Sequence, residues 1–168
     1  LIREAMIRLN WNYSIYRVGR FREAELGVES PFTLLASDAP SPAESIALTY
    51  LKDDRFRATL LPQGDTLLLG WDTLSHLGTW SFKLERRADF LTEHPNSLKA
   101  GDQFRLRWTS LNALVKGVNE SNLFVKPVEK DVSIVKIYYK HERPEKGQAL
   151  AHQIMDTYLE GCRRSTVF

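Results

Sequence analysis

A chain of 168 residues is long enough for one domain with a full hydrophobic core, or for a domain that carries an inserted subdomain. A hydrophobic content of 43% lies in the globular range and excludes collagen, coiled-coil and disordered classes for the bulk of the chain. Lys+Arg 23 against Asp+Glu 21 leaves +2, too balanced to argue for nucleic acid or an anionic membrane on net charge, and the single Cys162 excludes an internal disulfide and a cysteine-based zinc site.

Leu1, Ile2, Ala5, Met6 and Leu9 recur at helical spacing, which predicts an amphipathic helix of about three turns packed on a sheet. The chain opens inside this pattern without an initiator Met, as a segment cut from a longer protein would. Trp11 to Val18 and Phe21 to Leu26 read as a strand pair broken by Gly19-Arg20, and Phe32 to Leu35 as a short strand after Ser30-Pro31. Asp38 to Glu44, with two prolines, is the clearest loop. Strands follow at Ile46 to Leu51, Phe56 to Leu61, Thr66 to Trp71, Thr79 to Leu84, Arg87 to Glu93 and Gln103 to Trp108, with His76-Leu77-Gly78 among the turns between them. Trp80, Phe82 and Leu84 alternate with polar residues, as do Phe104, Leu106 and Trp108, so these are half-buried antiparallel strands. Thr109-Ser110 caps a short helix ending near Asn119. Leu123 to Val125 and Val132 to Tyr139 are strands, the second apolar enough to be central, and Pro144 opens the last helix. That helix carries one apolar stripe: Leu150, Ala151, Ile154, Met155, Tyr158, Leu159 and Cys162.

Signals for chemistry are sparse. Neither GxxxxGK[ST] nor GxGxxG occurs, and no stretch reaches the length of a membrane span. His76, His94, His141 and His152 have no metal-ligand spacing, GxSxG is missing, and Cys162 sits on a packing stripe. No catalytic, cofactor-binding or metal-binding residue is assigned. Indole faces suit sugars as well as cores, and of the four tryptophans Trp71, at a strand end beside Gly70 and Asp72, is the one expected to be exposed. Arg17, Arg20 and Arg22 cluster around a turn and could meet an acidic glycan or a partner's carboxylates.

The run LIREAMIRLNWNYSIYRVGRFREAELGVESPF resembles the periplasmic region of Bacteroidetes-type exopolysaccharide transport proteins of the chain-length-determinant (Wzz-type) and tyrosine-autokinase family. The corresponding pattern there is a helix ending in Leu-Asn, an aromatic strand, Gly-Arg-Phe, Glu-Leu and Ser-Pro-Phe. Phe56, Gly64, Gly70, Phe82 and Leu84 are similar to the β-rich insertion of those proteins. VSIVKIYYKHERPEKGQALAHQIMDTYLEGCRR resembles their strand-then-helix unit, with Gly147 where Ala is common and Tyr158 near the departure of the long helix. The motifs are packing motifs, and their order along nearly the whole chain carries the resemblance.

The resemblance implies an α+β fold: a Wzz-like mixed sheet packed by amphipathic helices, built from 1–36 and 109–168, with an antiparallel β-rich insertion over 37–108. It implies a non-catalytic periplasmic domain, held at the inner membrane by flanking helices, that oligomerises and regulates polysaccharide chain length or export with the polymerase and export machinery. Transmembrane helices, a coiled-coil extension and, in kinase members, a cytoplasmic kinase domain would lie outside these residues. A glycan-binding module using Trp71, Arg17, Arg20 and Arg22 is the alternative reading, and a hydrolase with paired carboxylates a third.

Overall fold

The computed structural model describes residues 1–36, 40–127, 135–141 and 143–165. In chain order the elements are α1 (Ile2–Arg8), β1 (Tyr13–Val18), β2 (Glu23–Leu26), β3 (Phe32–Ala36), β4 (Ser45–Tyr50), β5 (Arg55–Leu61), β6 (Thr66–Gly70), β7 (Ser75–Leu77) and β8 (Trp80–Arg86). There follow α2 (Ala88–Glu93), β9 (Gln103–Trp108), α3 (Leu111–Ser121), β10 (Leu123–Pro127), β11 (Val135–Tyr139) and α4 (Pro144–Ser165). The fold is α+β, and every strand pairing described is antiparallel, where a mixed sheet is expected from the sequence.

Two compact units result. One is Tyr13–Thr109, the other Leu1–Asn12 with Ser110–Phe168. The sequence-based boundary at residue 36 differs because β1 pairs with β9, Ile15 opposite Leu106, and β3 pairs with β8, Leu34 opposite Leu84. These long-range pairings draw β1, β2 and β3 into the β-rich unit.

The β-rich unit holds a six-stranded sheet in the order β2-β1-β9-β4-β5-β6 and a three-stranded sheet in the order β3-β8-β7. Alternation sends Ile46, Leu48, Phe56, Ala58, Leu60, Phe104 and Leu106 from the larger sheet, and Phe32, Leu34, Trp80, Phe82 and Leu84 from the smaller, into one shared core. Phe32 and Phe104 meet edge to face with 5.1 Å between ring centroids, so the two sheets lock through aromatic contact. On the outer face Glu23 bridges Arg105 and Arg107, and Arg107 lies 4.7 Å over the ring of Tyr16.

Two segments of this unit depart from the sequence reading. Arg87 to Glu93 contains a helix, not a strand, held by local contacts: Phe90 stacks on His94 at 4.5 Å, and the Thr92 hydroxyl donates to Ala88 O at 2.9 Å. His76 and Leu77, expected with Gly78 in a turn, belong instead to the strand β7, whose hairpin with β8 turns at Gly78-Thr79.

In the other unit α1 spans only seven residues. Where packing on a sheet is expected, its main contacts among the described residues are with helices: Ala5 and Met6 join Val118, Leu150 and Ile154 in a small core, against which Leu123, Ile137 and Tyr139 of the strands also pack. Arg8 ties α1 to α4 through Glu160 at 2.9 Å, and Arg3 reaches Asn112 of α3 at 3.0 Å. The Ser110 side chain caps α3 by accepting from Ala113 N at 3.3 Å. β11 pairs with β10 in a two-stranded sheet, so it is not a central strand among the described residues. Residues 132–134, with which the strand is expected to begin, lie outside the described residues, as do Asp38 and Ala39 of the proline loop.

Candidate functional site

The three arginines expected to act together divide between two roles. Register places Val18 opposite Glu23, leaving Gly19-Arg20-Phe21-Arg22 as the tip of the β1–β2 hairpin. The tip is closed by Gly19 N–H donating to Arg22 O at 2.9 Å. Arg17 lies within β1 and is engaged by its own unit: it pairs with Asp102 at 2.7 Å, donates to Ser97 O and lies 5.5 Å over the ring of Phe104. Arg20 and Arg22 are exposed on the tip, and the Arg20 guanidinium sits 5.4 Å over the ring of Phe21.

Trp71 is half-buried rather than exposed. It follows β6, and its ring meets Phe56 edge-on at 4.8 Å and also contacts Phe32 and Tyr50. A strand end flanked by turn residues suggests exposure, but here the indole folds back onto the core. Its Nε1 is buried and makes no hydrogen bond of ordinary geometry. That N–H lies against the Asp54 carboxyl and, with the Tyr50 hydroxyl at 3.2 Å and Arg86 at 3.6 Å, holds it below the usual carboxylate range. Burial and Asp54 in turn push the Tyr50 phenol up.

The structure does not bring Trp71 and the arginines together. The hairpin lies at the β2 edge of the six-stranded sheet and Trp71 at the β6 edge, with β9, β4 and β5 between β1 and β6. At about 4.8 Å per strand, that is roughly 19 Å measured along the sheet. An open depression of about 350 Å³ is lined by Leu35, Ala36, Leu74 and Lys83. Its one charged lining residue, Lys83, already pairs with Glu85 at 2.6 Å.

The sequence reading missed that the stripe on α4 splits into two faces. Leu150, Ile154 and Thr157 turn inward, Thr157 donating to Gln153 O at 2.7 Å. Met155, Tyr158, Leu159 and Cys162, at i, i+3, i+4 and i+7, turn outward, with Tyr158 59% exposed. The start of α4 lies beside β11: a Cβ on Gly147 would stand 3.5 Å from the Tyr139 ring, an ordinary van der Waals contact that alanine would also make. Tyr139 in turn packs against Trp11 and His141 at 6.0 and 5.7 Å.

Among the described residues no group of three or more His, Cys, Asp and Glu side chains is placed to hold a metal ion, and no helix is long and apolar enough to cross a membrane. Comparison of the chain with protein-family models and with curated proteins finds no match to either.

Proposed function

We propose that the chain is a non-catalytic periplasmic domain of a membrane-anchored protein of exopolysaccharide or capsule biosynthesis, regulating polysaccharide chain length or export by self-association and by contact with the polymerase and export machinery. The order of packing motifs along the sequence supports the family, and the outward face of α4 supports the mode of action. Met155, Tyr158, Leu159 and Cys162 form the spacing by which one helix docks on another, on a helix whose opposite side is fixed in its own core.

The magnitude fits a contact that depends on tethering. Fully burying one large apolar side chain stabilises by about 1.5–3 kcal/mol, and Met155, Tyr158 and Leu159 each have about half of that left to gain. A few kcal/mol does not hold a dimer of free chains against the cost of association, but it suffices at the high effective concentration of neighbours in a membrane. The isolated chain therefore associates weakly or not at all. In cells, Leu159→Asp in the intact protein shifts the length distribution of the surface polysaccharide on a gel while the protein level stays constant. An unchanged distribution contradicts the reading.

A further inference from the structure

Phe21 is 91% exposed, more than any other large hydrophobic side chain among the described residues. It does not sit in a loose segment. Register pins β1 to β2 on one side and to β9 on the other, and the tip closes on itself through Gly19 and Arg22, so the ring is held outward at the end of a built hairpin. Its charge is equally one-sided. Glu23, at the base of the tip, is occupied by Arg105 and Arg107, and Asp102 by Arg17, while the Arg20 guanidinium lies over the Phe21 ring and Arg22 is exposed next to it in sequence.

We propose that this tip is a lipid-contacting element, in which Phe21 enters the headgroup boundary of a bilayer and Arg20 and Arg22 lie against anionic lipid phosphates. Footprint favours lipid over a folded protein partner. A specific protein interface takes roughly 800 Å² from each side, whereas one aromatic side chain offers about 200 Å². No other large hydrophobic side chain on Tyr13–Leu26 is exposed to widen the patch. Aromatic rings settle at the level of the headgroups, and a basic residue near an anionic surface adds roughly fivefold to partition. One ring and two cations give a weak, reversible contact. The inference rests on the hairpin alone and does not depend on the polysaccharide reading.

Sedimentation of the chain with vesicles tests it. Vesicles of phosphatidylcholine containing phosphatidylglycerol retain the chain at low salt, and vesicles of phosphatidylcholine alone retain it far less. Phe21→Ala lowers partition by about tenfold. Arg20→Gln with Arg22→Gln removes most of the preference for the anionic vesicles. Neither change moves the thermal unfolding midpoint, because neither removes a core contact. Phe21→Trp adds an emission component that shifts to shorter wavelength on vesicles and is quenched by brominated lipid. Failure of the anionic vesicles to retain the wild-type chain, or equal retention of Phe21→Ala, overturns the proposal. Capture of a protein through Phe21 in place of vesicles overturns it in favour of a protein-docking anchor.

Discussion

Phe82 and Phe21 are chemically identical and have opposite tasks. Phe82 is fully buried between the sheets, so Phe82→Ala costs about 3–5 kcal/mol in urea unfolding. Phe21→Ala changes stability by no more than about 0.5 kcal/mol, since its ring contributes nothing to the core. Gly78 is constrained twice: it adopts φ +59°, and a Cβ there would stand 2.4 Å from a methyl of the buried Leu60. Gly101 also has a positive φ, at +93°, but nothing lies within 4 Å of its Cβ position. Gly78→Ala is accordingly the more destabilising of the two, by about 1–3 kcal/mol in total, and parallel urea titrations read the difference.

Asp54 contributes a pH dependence of defined sign. Its carboxyl is lowered from 3.8 in the folded chain by the Trp71 N–H, so its stabilisation is fully present above that value and is lost as pH falls through the folded value. Urea midpoints measured on either side of that window fall less for Asp54→Asn than for the wild type. The effect is small, because the Asp54 side chain is 53% exposed. The sequence revealed which way Phe82, Leu84, Phe104 and Leu106 face, because strict alternation has one physical outcome on a half-buried strand. It did not reveal that Trp71 turns back onto Phe56 or that Arg17 meets Asp102. Those partners are distant in sequence and leave no local pattern.

Elements were legible where periodicity was long and obscure where it was short. Phe90, Leu91 and Thr92 carry strand propensity, yet contacts four residues apart make α2 a helix. β7 has only three residues, too few to show alternation, and exists through its pairing with β8. The apolar run preceding Lys140 suggested a central strand, but apolarity does not reveal how many neighbours a strand has, and β11 pairs with β10 alone among the described residues. On α4 the apolar stripe was visible in the sequence, but its division was not, because only the packing of α1 and α3 decides which apolar side chains become core. The cap of α3 is a direct test at this scale. Ser110→Ala removes the bond to Ala113 N and lowers stability by about 1 kcal/mol, seen as a shift in the urea midpoint.

For the whole molecule, the division after Asn12 and before Ser110 follows from strand register, which composition does not encode. Within the β-rich unit the amides of β4, β5 and β9, each paired on both sides, exchange with deuterium more slowly than those of the edge strands β2 and β6. The central claim concerns association through the outward face of α4. Its most direct test is chemical crosslinking of the intact protein in its native membrane, compared with Leu159→Asp at equal expression. The account predicts a ladder of oligomers for the wild type that collapses in the variant; a protein that stays monomeric in the membrane, or a ladder indifferent to Leu159→Asp, would contradict it.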